Sequence, residues 1–252
     1  MTRSALFAAP LALAAGLFAL PALAFDVSAM SDAEREAFHT EVRAYLMEHP
    51  EVIMEAIQVL EERNQQQQVA ADDSLVRQYA DAIFDDGFSW VGGNPEGDVT
   101  VVEFLDYRCG YCRKAFEEVK KLVEADGNIR FIVKEFPILG QASLDSSRFA
   151  VAARQASGDA VYEQLHDALM AYKGATDLPA LTRLAEDLDI DPAPILAQLD
   201  APEVDAEIRK THELAKKLKV NGTPTFVFDT QMVRGYVPLD VMEQIVSEER
   251  EG

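Results

Sequence analysis

The sequence predicts an α/β domain with a long helical insertion, preceded by an α-helical N-terminal extension. Three observations carry this. Residues 99 to 138 read as strand, helix, strand. Residues 141 to 219 hold only helical patterns. The segments before residue 87 are helices with narrow apolar stripes and broad polar faces.

The elements follow in chain order. Residues 1–24, MTRSALFAAPLALAAGLFALPALA, start with Arg3 and continue as an Ala/Leu-rich run. Ala22-Leu23-Ala24 has the small-x-small form of a cleavage site, so a signal peptide removed after Ala24 is expected, with export to the periplasm. Ser31-Asp32-Ala33-Glu34 is a capping box opening a helix with Phe38, Val42, Tyr45 and Leu46 on one stripe. Pro50 ends that helix and opens a second, which carries Ile53, Ile57 and Leu60. Leu75 to Phe84 repeats the stripe. Gln65 to Gln68 and Asp72-Asp73 read as a polar interval, with a hinge expected between Asn64 and Asp73. Stripes this narrow need a partner surface, either the chain's own second domain or further copies of the chain, and 25–86 is expected to be an oligomerisation region.

Gly92-Gly93-Asn94-Pro95 breaks the pattern, and the second domain is expected over 87–252. VTVVEFLDY (99–107) is a nearly continuous apolar run, the signature of a strand covered on both faces. CGYCRKAFEEVKKLVEADG reads as a helix stopping near Gly127, and IRFIVKEFPI (129–138) as a second strand. The insert, about 141–219, breaks near Gly158, Gly174, Pro192 and Pro202. TPTFVFDTQMVRG then reads as a hairpin and VPLDVMEQIVSEER as a last helix.

With 44 acidic against 23 basic residues and a net charge of −21, the chain lacks the basic patches that nucleic-acid binding needs. Its two cysteines, Cys109 and Cys112, stand two residues apart. A bridge between them closes too short a loop to be a useful staple, so the pair is read as chemical. It sits where a buried strand turns into a helix. There the unpaired N–H groups and the helix dipole favour a thiolate at Cys109, with Arg108 and Arg113 adding to this. Cys112 lies one turn further in. Cys109 is thus expected to attack and Cys112 to resolve. Half of a zinc site is the competing reading, but none of the four histidines forms a spaced pair near the cysteines. Cu(I) ligation by the two thiolates stays open, although no Met-rich tract accompanies it.

In NGTPTF (221–226) a Thr-Pro step directly precedes a strand, where proline lacks the donor that a sheet needs. CGYC after a buried strand, the long helical stretch, the TPT loop and the terminal hairpin and helix together resemble the DsbA-like branch of the thioredoxin fold, over about 88–250. The N-terminal helices, with YLMEHPEVIMEAI, resemble those of ScsC-type proteins, where such an extension makes oligomers. The resemblance implies a redox pair at Cys109 and Cys112 and a cis Pro224 facing it. It also implies that the Thr223 backbone is open to an incoming peptide and that Glu103 is a buried acid aiding the inner cysteine. Burial of an acid in so apolar a strand is costly, which flags Glu103 independently; Lys134 is its expected partner. Gly110-Tyr111 and Thr223 depart from the Pro-His and Val of the DsbA oxidases and are similar to the DsbC-type isomerases. Gly110, Tyr111 and Thr223 are therefore the expected substrate contacts. The implied activity is that of a periplasmic disulfide isomerase or reductase with no bound cofactor. Its expected partners are exported clients, a membrane thiol reductase of the DsbD type and copies of itself, a trimer before a dimer. The rivals are a DsbA-like oxidase, a copper-binding protein and a structural adaptor.

Overall fold

The computed structural model describes residues 30–251, so the expected leader at 1–24 lies outside the described residues. The chain divides into two compact units, meeting in sequence at Leu60 and Glu61.

The first unit holds α1 (Asp32–Glu48) and the start of α2 (Glu51–Gln78). The capping box forms as expected: the Glu34 carboxylate accepts from Ser31 N at 2.8 Å, and the Ser31 hydroxyl oxygen accepts from Glu34 N. No residue of α1 is buried. Phe38, Val42, Tyr45, Ile53, Ile57 and Leu60 are all exposed, so the apolar stripe is present and uncovered.

The polar interval does not interrupt the helix. α2 runs unbroken through Asn64 to Asp73, because Gln, Glu, Arg and Ala are good helix formers and neither Gly nor Pro interrupts 51–78. Gln68 donates to Asp72 at 2.9 Å, and Arg77 pairs with Asp73, both one turn apart. The second unit also starts earlier than the expected boundary between residues 86 and 87. Val76 of α2 and Ile83 of α3 (Ala80–Phe84) are buried among Val102, Phe104, Leu214 and Leu218. Asp72 is further held by Arg234, whose Nη2 and Nε donate to its two carboxylate oxygens at 2.7 and 3.1 Å.

β1 (Trp90–Gly93) is a strand that the glycines concealed. It pairs antiparallel with β3 (Ile129–Glu135), which runs parallel to β2 (Val99–Leu105). Gly92 is required because a Cβ there would meet the Trp90 indole at 2.1 Å. The hairpin of β4 (Thr225–Phe228) and β5 (Gln231–Arg234) completes a sheet of order β1-β3-β2-β4-β5. Side chains alternate across it. Val101, Leu105 and Val133 face α4 (Gly110–Asp126) and α10 (Leu239–Glu251). Val102, Phe104 and Ile132 face α9 (Pro202–Lys217), α3 and the end of α2.

The expected insert is helical throughout. It comprises α5 (Gln141–Ser157), α6 (Asp159–Ala171), α7 (Leu178–Asp187) and α8 (Pro192–Gln198), followed by α9. Pro192 and Pro202 sit in first turns, where the missing N–H costs nothing. Among the described residues no helix is long and apolar enough to cross a membrane.

Candidate active site

β2 is followed by Asp106-Tyr107-Arg108, where the chain turns into α4 with Cys109 as its N-cap residue. Asp106 holds this turn. One carboxylate oxygen accepts from Arg108 N at 2.8 Å, the other from Ile138 N and Leu139 N at 2.8 and 3.0 Å. The β3–α5 loop is thereby tied to the head of α4. Asp106 was not singled out in the sequence; an acid directly after a buried strand is the signal that could have found it.

Cys109 Sγ lies 3.1 Å from the Thr223 carbonyl oxygen, to which the thiol donates. The Thr223–Pro224 peptide is cis, as the resemblance implies. The Cys109 thiol is held down to about 5. The largest cause is a hydrogen bond from the Cys112 thiol; burial opposes it, and the Thr223 side chain and the N–H groups of Cys112 and Tyr111 add to it, whereas the contact with the Thr223 carbonyl favours the protonated thiol. The two arginines do not bond the sulfur. Arg108 donates to Gly174 O at 3.2 Å and Arg113 to Tyr107 O at 2.7 Å. Cys112 is fully buried, and its thiol is pushed far up, chiefly by that burial. The two sulfurs are unbridged. The two thiols thus differ in proton affinity in the expected sense, but Cys109 is itself only 7 % exposed and is not the open thiol expected at a helix start.

Glu103 is 2 % exposed, and its Oε1 has no hydrogen-bond partner. Burial first, and the Cys109 charge second, push its carboxyl up to about 8. It lines a cavity of about 400 Å3 with Trp90, Phe116, Val119, Phe131 and His166. The expected pairing with Lys134 does not form. The parallel register sets Glu103 beside Val133 and Lys134 beside Phe104, so the two side chains leave opposite faces of the sheet. Lys134 is instead buried against Asp86 and donates to Ala82 O at 3.2 Å.

A second buried acid was missed. Glu135 accepts from Tyr107, Tyr162 and Ser147, each at 2.7 Å, and burial pushes it up to about 7. His166 lies 3.1 Å from the Tyr107 oxygen and is pushed down to about 4 by burial, so it is neutral at physiological pH. The signal was a Lys-Glu step inside an apolar strand. Gly110 and Tyr111 are exposed in the first turn of α4, with open space where a Gly110 side chain would be. The structure thus gathers Cys109, Cys112, Thr223 and Pro224 at the strand ends, with Glu103 in β2 beneath α4. Among the described residues no three His, Cys, Asp or Glu side chains cluster as metal ligands.

Comparison with known proteins agrees with this fold. Residues 100–247 match the DSBA-like thioredoxin domain, and 34–67 match the Copper resistance protein ScsC N-terminal domain. A thioredoxin-like oxidoreductase from Silicibacter pomeroyi is similar at 43 % identity and TM-score 0.64, over 68 % of this chain and 98 % of that one. Salmonella enterica Typhimurium BcfH is similar at 28 % identity and TM-score 0.73, over 87 % and 97 %. A curated relative, the Na(+)/H(+) antiporter NhaA 1 of Salinispora arenicola, is 29 % identical over 158 residues; the match takes in 62 % of this chain and only 24 % of that protein's length. The chain belongs to the DsbA-like thioredoxin family and carries an N-terminal domain of the ScsC type.

Proposed function

We propose that this chain is a periplasmic thiol–disulfide oxidoreductase that works chiefly as a disulfide isomerase. One observation carries the reading. A thiol held down to about 5 stands beside the Thr223 carbonyl, where an extended client can be received, and a shielded second thiol lies one turn away. The Cys109 thiolate attacks a client disulfide. A Cys109–client S–S bond forms, the client bond breaks, and one client sulfur leaves as thiolate. If another client thiolate then attacks the mixed disulfide, Cys109 is restored and the client is rearranged without net electron transfer. If Cys112 attacks instead, its proton passes to a base; the ionised fraction of the Glu103 carboxyl takes that role here, its proton affinity raised to about 8. The Cys109–Cys112 disulfide forms, and the client gains two electrons. Those electrons are then replaced by a membrane thiol reductase, and no bound cofactor takes part.

The isomerase direction is favoured over oxidation by the Gly110-Tyr111 dipeptide, by Thr223 before Pro224 and by the uncovered stripe on α1 and α2. Copies joined along that stripe, a trimer before a dimer, would place several sulfurs around one client and raise their effective concentration. The leader at 1–24 supplies the export that this role needs. The test is recovery of activity from a scrambled multi-disulfide protein in a glutathione buffer with catalytic amounts of the reduced chain. Recovery well above buffer alone is expected. Faster oxidation of a reduced client with no recovery of the scrambled one would replace this reading with the oxidase.

A further inference from the structure

Tyr111 exposes 64 % of its surface two residues after the attacking sulfur. One side of its ring stacks on Tyr236, with centroids 6.3 Å apart and planes at 30°. Tyr236 follows Gly235, whose N–H donates to the Pro224 carbonyl at 2.9 Å and whose φ of +93° suits glycine. The loop that carries the ring under Tyr111 is thus tied by a backbone hydrogen bond to the separate loop that presents Thr223 to Cys109. Tyr236 is fixed in turn by α4. The Lys114 ammonium lies 3.9 Å from its ring centroid, and its hydroxyl donates to the Glu118 carboxylate at 2.8 Å. Lys114 and Glu118 are one helical turn apart, so a single face of α4 clamps the ring from two sides.

The clamp leaves an immobilised aromatic pair beside the sulfur with Tyr111 largely uncovered. A client paired in extended form with the Thr223 backbone alternates its side chains, so residues two positions from its half-cystine share that residue's face. We propose that Tyr111 and Tyr236 form an aromatic shelf that selects clients with an aromatic or large aliphatic side chain two positions from the reacting half-cystine. Tyr111 makes the contact, and Tyr236 is the positioning residue that holds its ring. This selectivity rests on the thiol–disulfide exchange proposed above.

The experiment follows exchange between the reduced full-length protein and short peptides, each bonded through its cysteine to a chromogenic thiol. Trp or Gly is placed two positions before or after the cysteine. The readout is the ratio of the Trp rate to the Gly rate, which does not change when a variant is merely slower or partly unfolded. The wild type should favour a Trp peptide by about twofold to tenfold, the range of one aromatic contact. Tyr236→Ala and Tyr111→Ser should each bring the ratio close to one, and Tyr236→Phe, which keeps the stacking, should retain most of it. A wild-type ratio of one, or an undiminished ratio in Tyr236→Ala, overturns the shelf. If the wild type exchanges with no peptide at all, the oxidoreductase reading fails and the shelf falls with it.

Discussion

Replacing Glu103 with Gln removes one proton site and almost no volume, so its effect reads the cost of a buried charge directly. Burial lifts this carboxyl from 4.5 to about 8. At about 1.4 kcal/mol per pH unit, ionising it in the fold costs on the order of 4–5 kcal/mol more than in the unfolded chain. Below about pH 4.5 the acid is protonated in both states and adds no pH dependence. Between about pH 4.5 and pH 8 the unfolded chain gives up the proton while the fold keeps it, so the wild type loses stability as pH rises. Above about pH 8 both states are ionised and the penalty is complete. Gln has no proton to lose. Denaturant unfolding of the two reduced proteins at a series of pH values should show their stability difference widening in favour of Glu103→Gln over that window and then levelling. Cys109 titrates in both proteins, and most of its own contribution cancels in the difference. A difference that is flat with pH, or that widens on the acid side, would refute the account of Glu103 as a buried acid whose proton affinity burial raises. The same variant should resolve mixed disulfides about 100-fold more slowly, the scale expected for loss of a general base.

Three further outcomes follow from the same structure. Thiolate absorbance of the reduced protein should titrate at about 5 for Cys109, and a midpoint above about 7 would contradict the hydrogen bond from Cys112 as its cause. A chain starting at Glu61 should unfold with nearly full stability, whereas one starting at Gly87 loses Val76 and Ile83, each worth about 1.5–3 kcal/mol, and leaves Lys134 without Asp86; equal denaturation midpoints would refute the boundary at Leu60 and Glu61. The wild type should scatter light as a multimer, and Ile53→Glu with Ile57→Glu should give monomers that exchange thiols but no longer rearrange a scrambled client; an unaltered mass would refute the stripe as an interface.

What the sequence made legible was governed by local pattern. The capping box at Ser31, the apolar run of β2, the stop at Gly127 and the order of the insert all follow from neighbouring residues, and so does the place of Cys109 at a strand–helix junction. The misreadings have local causes too. Gly92 and Gly93 hid β1 because their role, making room for the Trp90 indole and for β3, depends on packing. The glutamines of α2 suggested an interval between two helices by polarity alone, although nothing there breaks a helix. Glu103 and Lys134 were paired because both are charged residues in apolar strands, but the parallel register puts them on opposite faces. The Glu135 cluster was out of reach for a different reason. Its partners Tyr107, Ser147 and Tyr162 come from three separate elements, and only the folded chain brings them to one carboxylate.

The central claim is that Cys109 attacks client disulfides and Cys112 releases them. It is tested most directly by mass spectrometry of the reduced Cys112→Ser chain after mixing with a scrambled disulfide-bonded protein. A mixed disulfide at Cys109 should accumulate and dissolve on adding reductant, while the wild type should retain little and Cys109→Ser none. An equal adduct in Cys109→Ser, or no adduct in Cys112→Ser, would contradict the claim.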